Sequence, residues 1–100
     1  MLSVSIKKDV PDVGLSLSGN LDMVTSEVLN ETFERLDEVQ MRSLTISIGG
    51  LNFIDSTGVG QLLGYYKRCT ARDIGFRIEN DNPEIEAILE IIGIREIVNS

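Results

Sequence analysis

The sequence predicts an α/β domain: a mixed, mostly parallel sheet of four to five strands with three helices packed against it. Three observations carry this. Apolar residues alternate with polar ones in four short runs, the period of two that marks strands with one wet face. Three further stretches change to an apolar spacing near 3.6, the period of a helix with one buried side. Beyond an opening pair of strands the order is strand, helix, strand, helix, strand, helix, as in parallel strands joined by crossover helices.

Leu2, Val4 and Ile6 alternate with Ser3, Ser5 and Lys7, and after a turn over 9–14 that contains Pro11 the period resumes at Val13, Leu15, Leu17, Gly19 and Leu21. Strands this close in sequence are expected to pair as an antiparallel hairpin. Asp22, Thr25 and Ser26 then open a first helix, placed at 25–40, with Val28, Leu29, Phe33, Leu36 and Val39 on its apolar side. Early Glu27 and Glu31 and late Arg35 complement its dipole. Leu44, Ile46 and Ile48 mark a third strand, expected to stop at Gly49-Gly50, where glycine opens backbone paths closed to other residues. Val59, Leu62, Leu63, Tyr66 and Cys69 share one face of a second helix, so Tyr66 and Cys69 are expected in the core and Tyr65 half exposed. Lys67, Arg68 and Arg72 read as the dipole complement at its end. Ile74, Phe76 and Ile78 form a fourth strand. Asn82 caps a third helix with Pro83 at its first position, Ile85, Ile88, Leu89 and Ile92 on its apolar face and Gly93 at its end. Ile94, Ile97 and Val98 are expected to cap the core.

A chain of 100 residues suits one domain over 1–100, and an apolar fraction of 42% with 25% charged residues suits a globular protein. Nine basic residues against sixteen acidic ones, a net charge of −7, argue against a nucleic-acid partner, which would need clustered Lys and Arg. The absence of histidine removes the usual general base and the commonest metal ligand. A lone Cys69 can form neither an intrachain disulfide nor a thiolate cluster. The start has no signal-peptide pattern, and no run approaches the roughly 20 apolar residues of a membrane helix. A cytoplasmic protein without membrane attachment, cofactor or metal is therefore expected.

Candidate chemistry gathers at Ile54-Asp55-Ser56-Thr57-Gly58-Val59-Gly60, between the third strand and the second helix. Ser56 on a strand-to-helix turn resembles a hydrolase nucleophile, but the Gly-x-Ser-x-Gly flanks and any histidine partner are missing. A phosphate-cradling loop fails as well, because Gln61 rather than lysine follows Gly60. Asp22 and Asp55 lie on loops at the same edge of the sheet. They are expected to cap the helices behind them rather than serve as an acid and base pair or a magnesium site. Glycine weakens a helix by up to about 1 kcal/mol relative to alanine. Gly58 and Gly60 are accordingly expected to keep a surface bare for another protein's backbone, and Gly64 is read as open between that role and tight packing on the sheet.

Leu51-x-Phe53-Ile54-Asp55-Ser56-Thr57-Gly58-Val59-Gly60, with Leu62-Leu63 behind it and Leu17-x-Gly19-x-Leu21-Asp22 at the end of the second strand, closely resembles the signature of the bacterial anti-sigma factor antagonists, the single-domain STAS proteins. The likeness spans nearly the whole chain. It implies a non-enzymatic regulator whose Ser56 is phosphorylated by a partner. In its unphosphorylated form such a protein binds an anti-sigma factor, itself a serine kinase, and so frees a sigma factor. Phosphorylation ends the binding, and a serine phosphatase of the metal-dependent type restores it. The partner surface implied comprises Asp22, Asp55, Ser56, Thr57, Gly58, Val59 and Gly60. Asn20 and Gly49-Gly50 depart from residues that the family often has there. The alternative is a STAS module that senses a ligand, or serves as a scaffold in a larger signalling assembly, without being phosphorylated.

Overall fold

The computed structural model describes residues 1–93. Its elements run β1 (Leu2–Lys8), β2 (Asp12–Leu21), α1 (Ser26–Asp37), β3 (Ser43–Ile54), α2 (Ser56–Ala71), β4 (Gly75–Glu79) and α3 (Pro83–Ile92). The four strands lie in the order β1-β2-β3-β4. β1 pairs antiparallel with β2, matching Val4 to Leu17, whereas β2, β3 and β4 pair in parallel. The expected mixed, mostly parallel sheet and its opening hairpin are both present.

Alternation sorts the sheet into a dry and a wet face. Val13, Leu15 and Leu17 of β2, Leu44, Ile46 and Ile48 of β3, and Phe76 and Ile78 of β4 are buried. They form one core with Leu29, Phe33 and Leu36 of α1, Leu62, Tyr65 and Cys69 of α2, and Ile85 and Leu89 of α3. Ser16, Thr45, Ser47, Arg77 and Glu79 alternate with these and make a polar second face. Burying each large apolar side chain favours folding by about 1.5–3 kcal/mol. A slip of one residue would turn a whole set outward, and this fixes the register.

Several elements differ from the periodicity. α1 ends at Asp37 rather than near 40, closed by the Glu38 N–H donating to the Arg35 carbonyl at 3.2 Å and the Val39 N–H to the Leu36 carbonyl at 3.3 Å. Val28 and Val39 are 43% and 40% exposed, so only Leu29, Phe33 and Leu36 face the core. β3 does not stop at Gly49-Gly50 but runs on to Ile54, with Leu51 and Ile54 buried. A Cβ on Gly50 would lie 2.9 Å from the Leu17 carbonyl oxygen and one on Gly49 would overlap the Asp81 carboxylate, so these glycines permit close approach rather than a chain reversal.

The two tyrosines exchange their expected roles. Tyr65 is 3% exposed and stacks on Phe33 with ring centroids 3.9 Å apart, while Tyr66 is partly buried, edge-on to Phe76 at 5.7 Å. Neighbours about 100° apart on a helix fit one apolar period almost equally, and Phe33 on the adjoining helix decides between them. Burial, with Asp37 adding to it, raises the Tyr65 hydroxyl above its ordinary value, and the hydroxyl donates to Asp37 at 3.1 Å. Arg68 and Arg72 pair with the same carboxylate, clasping α2 to α1 in addition to complementing the dipole. Cys69 is buried as expected, and that burial pushes its thiol up to about 11. α3 follows its signals: Asn82 accepts the Glu84 N–H at 3.0 Å, and Gly93 closes the helix at φ +83°. Ile94, Ile97 and Val98, and the side chain of Ile92, lie outside the described residues.

Asp12 ties the start of β2 to that of β3, accepting from the Arg42 guanidinium and, at 2.7 Å, from the Ser43 hydroxyl. The Arg42 bond foremost, then Ser43, holds its carboxyl at about 2 against an ordinary 3.8. Because the folded value is the lower one, the stabilisation is complete above the ordinary value and is lost as pH falls through about 2. Asp12→Asn is expected to be less stable at neutral pH and to converge on wild type near pH 2, read as urea midpoints across the acid range. Parallel acid limbs in the two proteins would remove Asp12 as a source of the acid sensitivity.

Candidate functional site

Parallel pairing of β2 with β3 brings two loops, distant in sequence, to one end of the sheet. Leu21 stands opposite Ile54, and the Asp55 N–H donates to the Leu21 carbonyl at 3.2 Å. Asp22 and Asp55 therefore leave adjacent strands side by side, at the shared edge the sequence places them on.

Asp55 is extended and caps α2, its carboxylate accepting the Gly58 N–H at 2.9 Å and its carbonyl the Val59 N–H at 3.0 Å. A side-chain cap of this kind is worth about 1 kcal/mol. With the chain so fixed, Ser56 at the first helical position and Thr57 after it are exposed.

Asp22 does not cap α1, contrary to expectation. The helix starts at Ser26, with Thr25 at the cap position and no side-chain cap bond. The N–H groups within reach of Asp22 are those of the loop itself, so its carboxylate accepts Val24 N–H at 3.0 Å and Thr25 N–H at 3.1 Å. The Thr25 hydroxyl accepts the Asp22 N–H at 3.0 Å and donates to the Asn20 carbonyl at 2.8 Å. These bonds, the Thr25 N–H first, hold the Asp22 carboxyl below its ordinary value. The result is a closed turn standing beside Ser56.

The glycines divide differently from the expected pattern. Gly58 is buried, and a Cβ there would lie 2.8 Å from both the Leu21 carbonyl oxygen and Leu21 Cγ. It is not bare surface; it lets the first turn of α2 settle on the ends of β2 and β3. Val59, 2% exposed, belongs to the core. Both residues lie behind Ser56 and support it. Gly60 and Gly64 are exposed with nothing within 4 Å of an added Cβ, which suits a bare surface and removes tight packing as the reason for Gly64. The residues brought together at the surface are thus Ser56, Thr57 and Gly60, with Asp22 and Asp55 partly buried alongside.

Features without a periodic signature complete this end. Met23 is 73% exposed, Val24 86% and Phe53 47%. The readable clue is an apolar pair set inside a polar loop, between Asp22 and Thr25. Gln61 Nε2 donates to the Ser26 carbonyl at 2.6 Å, fixing the start of α2 against that of α1. Ser26, Glu27, Asn30, Thr57 and Gln61 line a shallow groove between the two helices.

The Ser56 hydroxyl is thus held open at a capped helix start. Fold and site together define a small α/β module that presents an ordered serine turn at one end of its sheet. The chain belongs to the STAS domain family, whose sequence profile matches residues 3–100. It is 26% identical over 98 residues to the anti-sigma-B factor antagonist of Bacillus subtilis (strain 168), covering 98% of this chain and 89% of that one. It is 30% identical over 83 residues to the anti-sigma F factor antagonist of Paenibacillus polymyxa, covering 82% of this chain and 71% of that one. An anti-sigma factor antagonist structure from Mycobacterium paratuberculosis shares the fold at TM-score 0.89 and 19% identity, over 99% of this chain and 84% of that one. The unphosphorylated form of the anti-sigma factor antagonist SpoIIAA superposes at TM-score 0.77 and 20% identity, over 91% and 81%. Among the described residues no helix is long and apolar enough to cross a membrane.

Proposed function

We propose that this chain is a single-domain, cytoplasmic anti-sigma factor antagonist, switched by phosphorylation of Ser56. The observation that carries the reading is the exposed Ser56 hydroxyl at the start of α2, fixed by the Asp55 cap and flanked by the Asp22 turn. The names of the curated relatives support it, as does the description of SpoIIAA as one of its forms, the unphosphorylated one. In this reading the unmodified protein binds an anti-sigma factor that is also a serine kinase, and a sigma factor is released. The kinase transfers a phosphoryl group from ATP to Ser56 Oγ and ends the complex. A metal-dependent serine phosphatase hydrolyses the phosphate and restores binding. The chain is the substrate in both steps and catalyses neither.

Incubation with ATP and the host's purified anti-sigma factor kinase is expected to add the mass of one phosphate, about 80 Da. Ser56→Ala is expected to bind the kinase and gain nothing, whereas Thr57→Ala still gains it. A phosphate that persists in Ser56→Ala, or none in wild type, would sink the assignment. The second outcome returns the chain to the class of ligand-sensing or scaffold modules.

A further inference from the structure

Resting on that reading, we propose that Met23, Val24 and Phe53 form the apolar anchor of the docking surface. Its occupant is a protein surface apolar at its centre and rimmed by Lys and Arg, carried by the anti-sigma factor kinase. The three side chains are among the most open large apolar groups of the fold, at 73%, 86% and 47% exposure. All belong to the end of the sheet that carries Ser56: Phe53 pairs with Asn20 in the register just below Leu21 and Ile54, and Met23 and Val24 follow directly. The bonds from Val24 N–H and Thr25 N–H to Asp22 hold the turn in one conformation, so little ordering remains to be done on binding.

Charge around this patch identifies its occupant. α1 and α2 run side by side away from this end, with Ser26 and Gln61 joined near it and Asp37 joined to Arg68 and Arg72 far from it. Arg35 and Lys67 therefore lie toward the far end, where Arg42 bonds Asp12 at the start of β2 and Lys8 pairs with Gly14. Arg77 sits level with Thr45, in the half of the sheet remote from Ser56. At the near end are Asp22, Glu27 and Asp55, joined by Asp81 and Glu84 beside Asn82, whose side chain bonds the Leu51 carbonyl at 3.2 Å. Among the described residues this end carries these five carboxylates and no Lys or Arg; the Met1 amino group, beside Asn20 and near enough to act on Asp22, offsets one of them and leaves the end net negative. A second copy meeting it face to face would bring like charges together, so a cationic rim on a different protein is the complement.

The patch and the field make separable predictions. With the purified kinase as probe, Met23→Ser/Val24→Ser is expected to bind at least about tenfold more weakly, through faster dissociation. Phe53→Ala, on a different element, is expected to lose severalfold, and Val39→Ser, exposed at the far end of α1, to match wild type. Association is expected to slow on the order of tenfold between low and high salt in wild type and variants alike. Thermal melts check that every variant is folded. If wild type still gains phosphate at Ser56 while both patch variants bind normally, or association ignores salt, the docking inference is overturned and the functional reading stands. Failure of wild type to bind or be phosphorylated overturns both.

Discussion

Ser56→Asp is expected to bind the anti-sigma factor kinase some hundredsfold more weakly than wild type, a loss of about 3–4 kcal/mol, with the fold unchanged. A negative charge in the first turn of a helix is favoured by the macrodipole, so the melting temperature should hardly move. The cost falls on the interface. Asp55 already occupies the Gly58 N–H, no described Lys or Arg lies at this end, and the Met1 amino group there already acts on Asp22, so a second anion has no cation of its own within the chain. Buried in the packed centre of the contact, away from a cationic rim, it would be desolvated and poorly paired. Phosphate, at about −1.5 to −2 charges, should act more strongly than aspartate. The acidic end as a whole attracts a basic partner from a distance, so the added charge should leave association as fast or faster and raise dissociation. Binding kinetics of wild type, Ser56→Asp and the uncharged Ser56→Asn separate charge from bulk, with Ser56→Asn expected within about tenfold of wild type. Tight binding by Ser56→Asp would end the charge mechanism, and slowed association would place the effect in long-range repulsion instead.

The positions legible in the sequence are those where one physical requirement acts alone. Leu15, Leu17, Leu44 and Ile46 must face the core, and the period of two states that directly. Asp55 precedes a helix with its carboxylate within reach of the third N–H, so a local rule suffices. Where a second element decides, the chain alone is silent. The choice of Tyr65 over Tyr66 rests on Phe33, and the role of Asp22 on how early the loop closes ahead of Ser26. The continuation of β3 through Gly49-Gly50 depends on Leu17 and Asp81 approaching from other elements. Met23 and Val24 carry no periodic signal for a related reason: their exposure is set by the fold around the loop, and only their place as an apolar pair in a polar loop hints at it.

The same distinction separates the glycines of α2 and predicts opposite signs for one chemical change. Alanine in a helix is worth up to about 1 kcal/mol over glycine, so Gly60→Ala and Gly64→Ala, opening into empty space, are each expected to stabilise by up to that amount. Gly58→Ala gains the same propensity, yet its Cβ would stand 2.8 Å from the Leu21 carbonyl oxygen and 3.1 Å from Ile54 Cγ1. Backbone cannot yield as a flexible side chain can, and overpacking of this kind costs about 1–3 kcal/mol. The expected net result is destabilisation, read as a lower urea midpoint. Relief comes by lifting the first turn of α2 from the ends of β2 and β3, which displaces Ser56, so phosphoryl transfer to this variant should slow even under conditions where it is fully folded. Gly60→Ala poses the converse case: greater stability, with slower phosphorylation if its bare face admits the kinase. Gly64→Ala, a turn further from Ser56, should gain stability and be phosphorylated at the wild-type rate. A Gly58→Ala protein as stable and as readily phosphorylated as wild type would show that the contact with Leu21 does not position the serine.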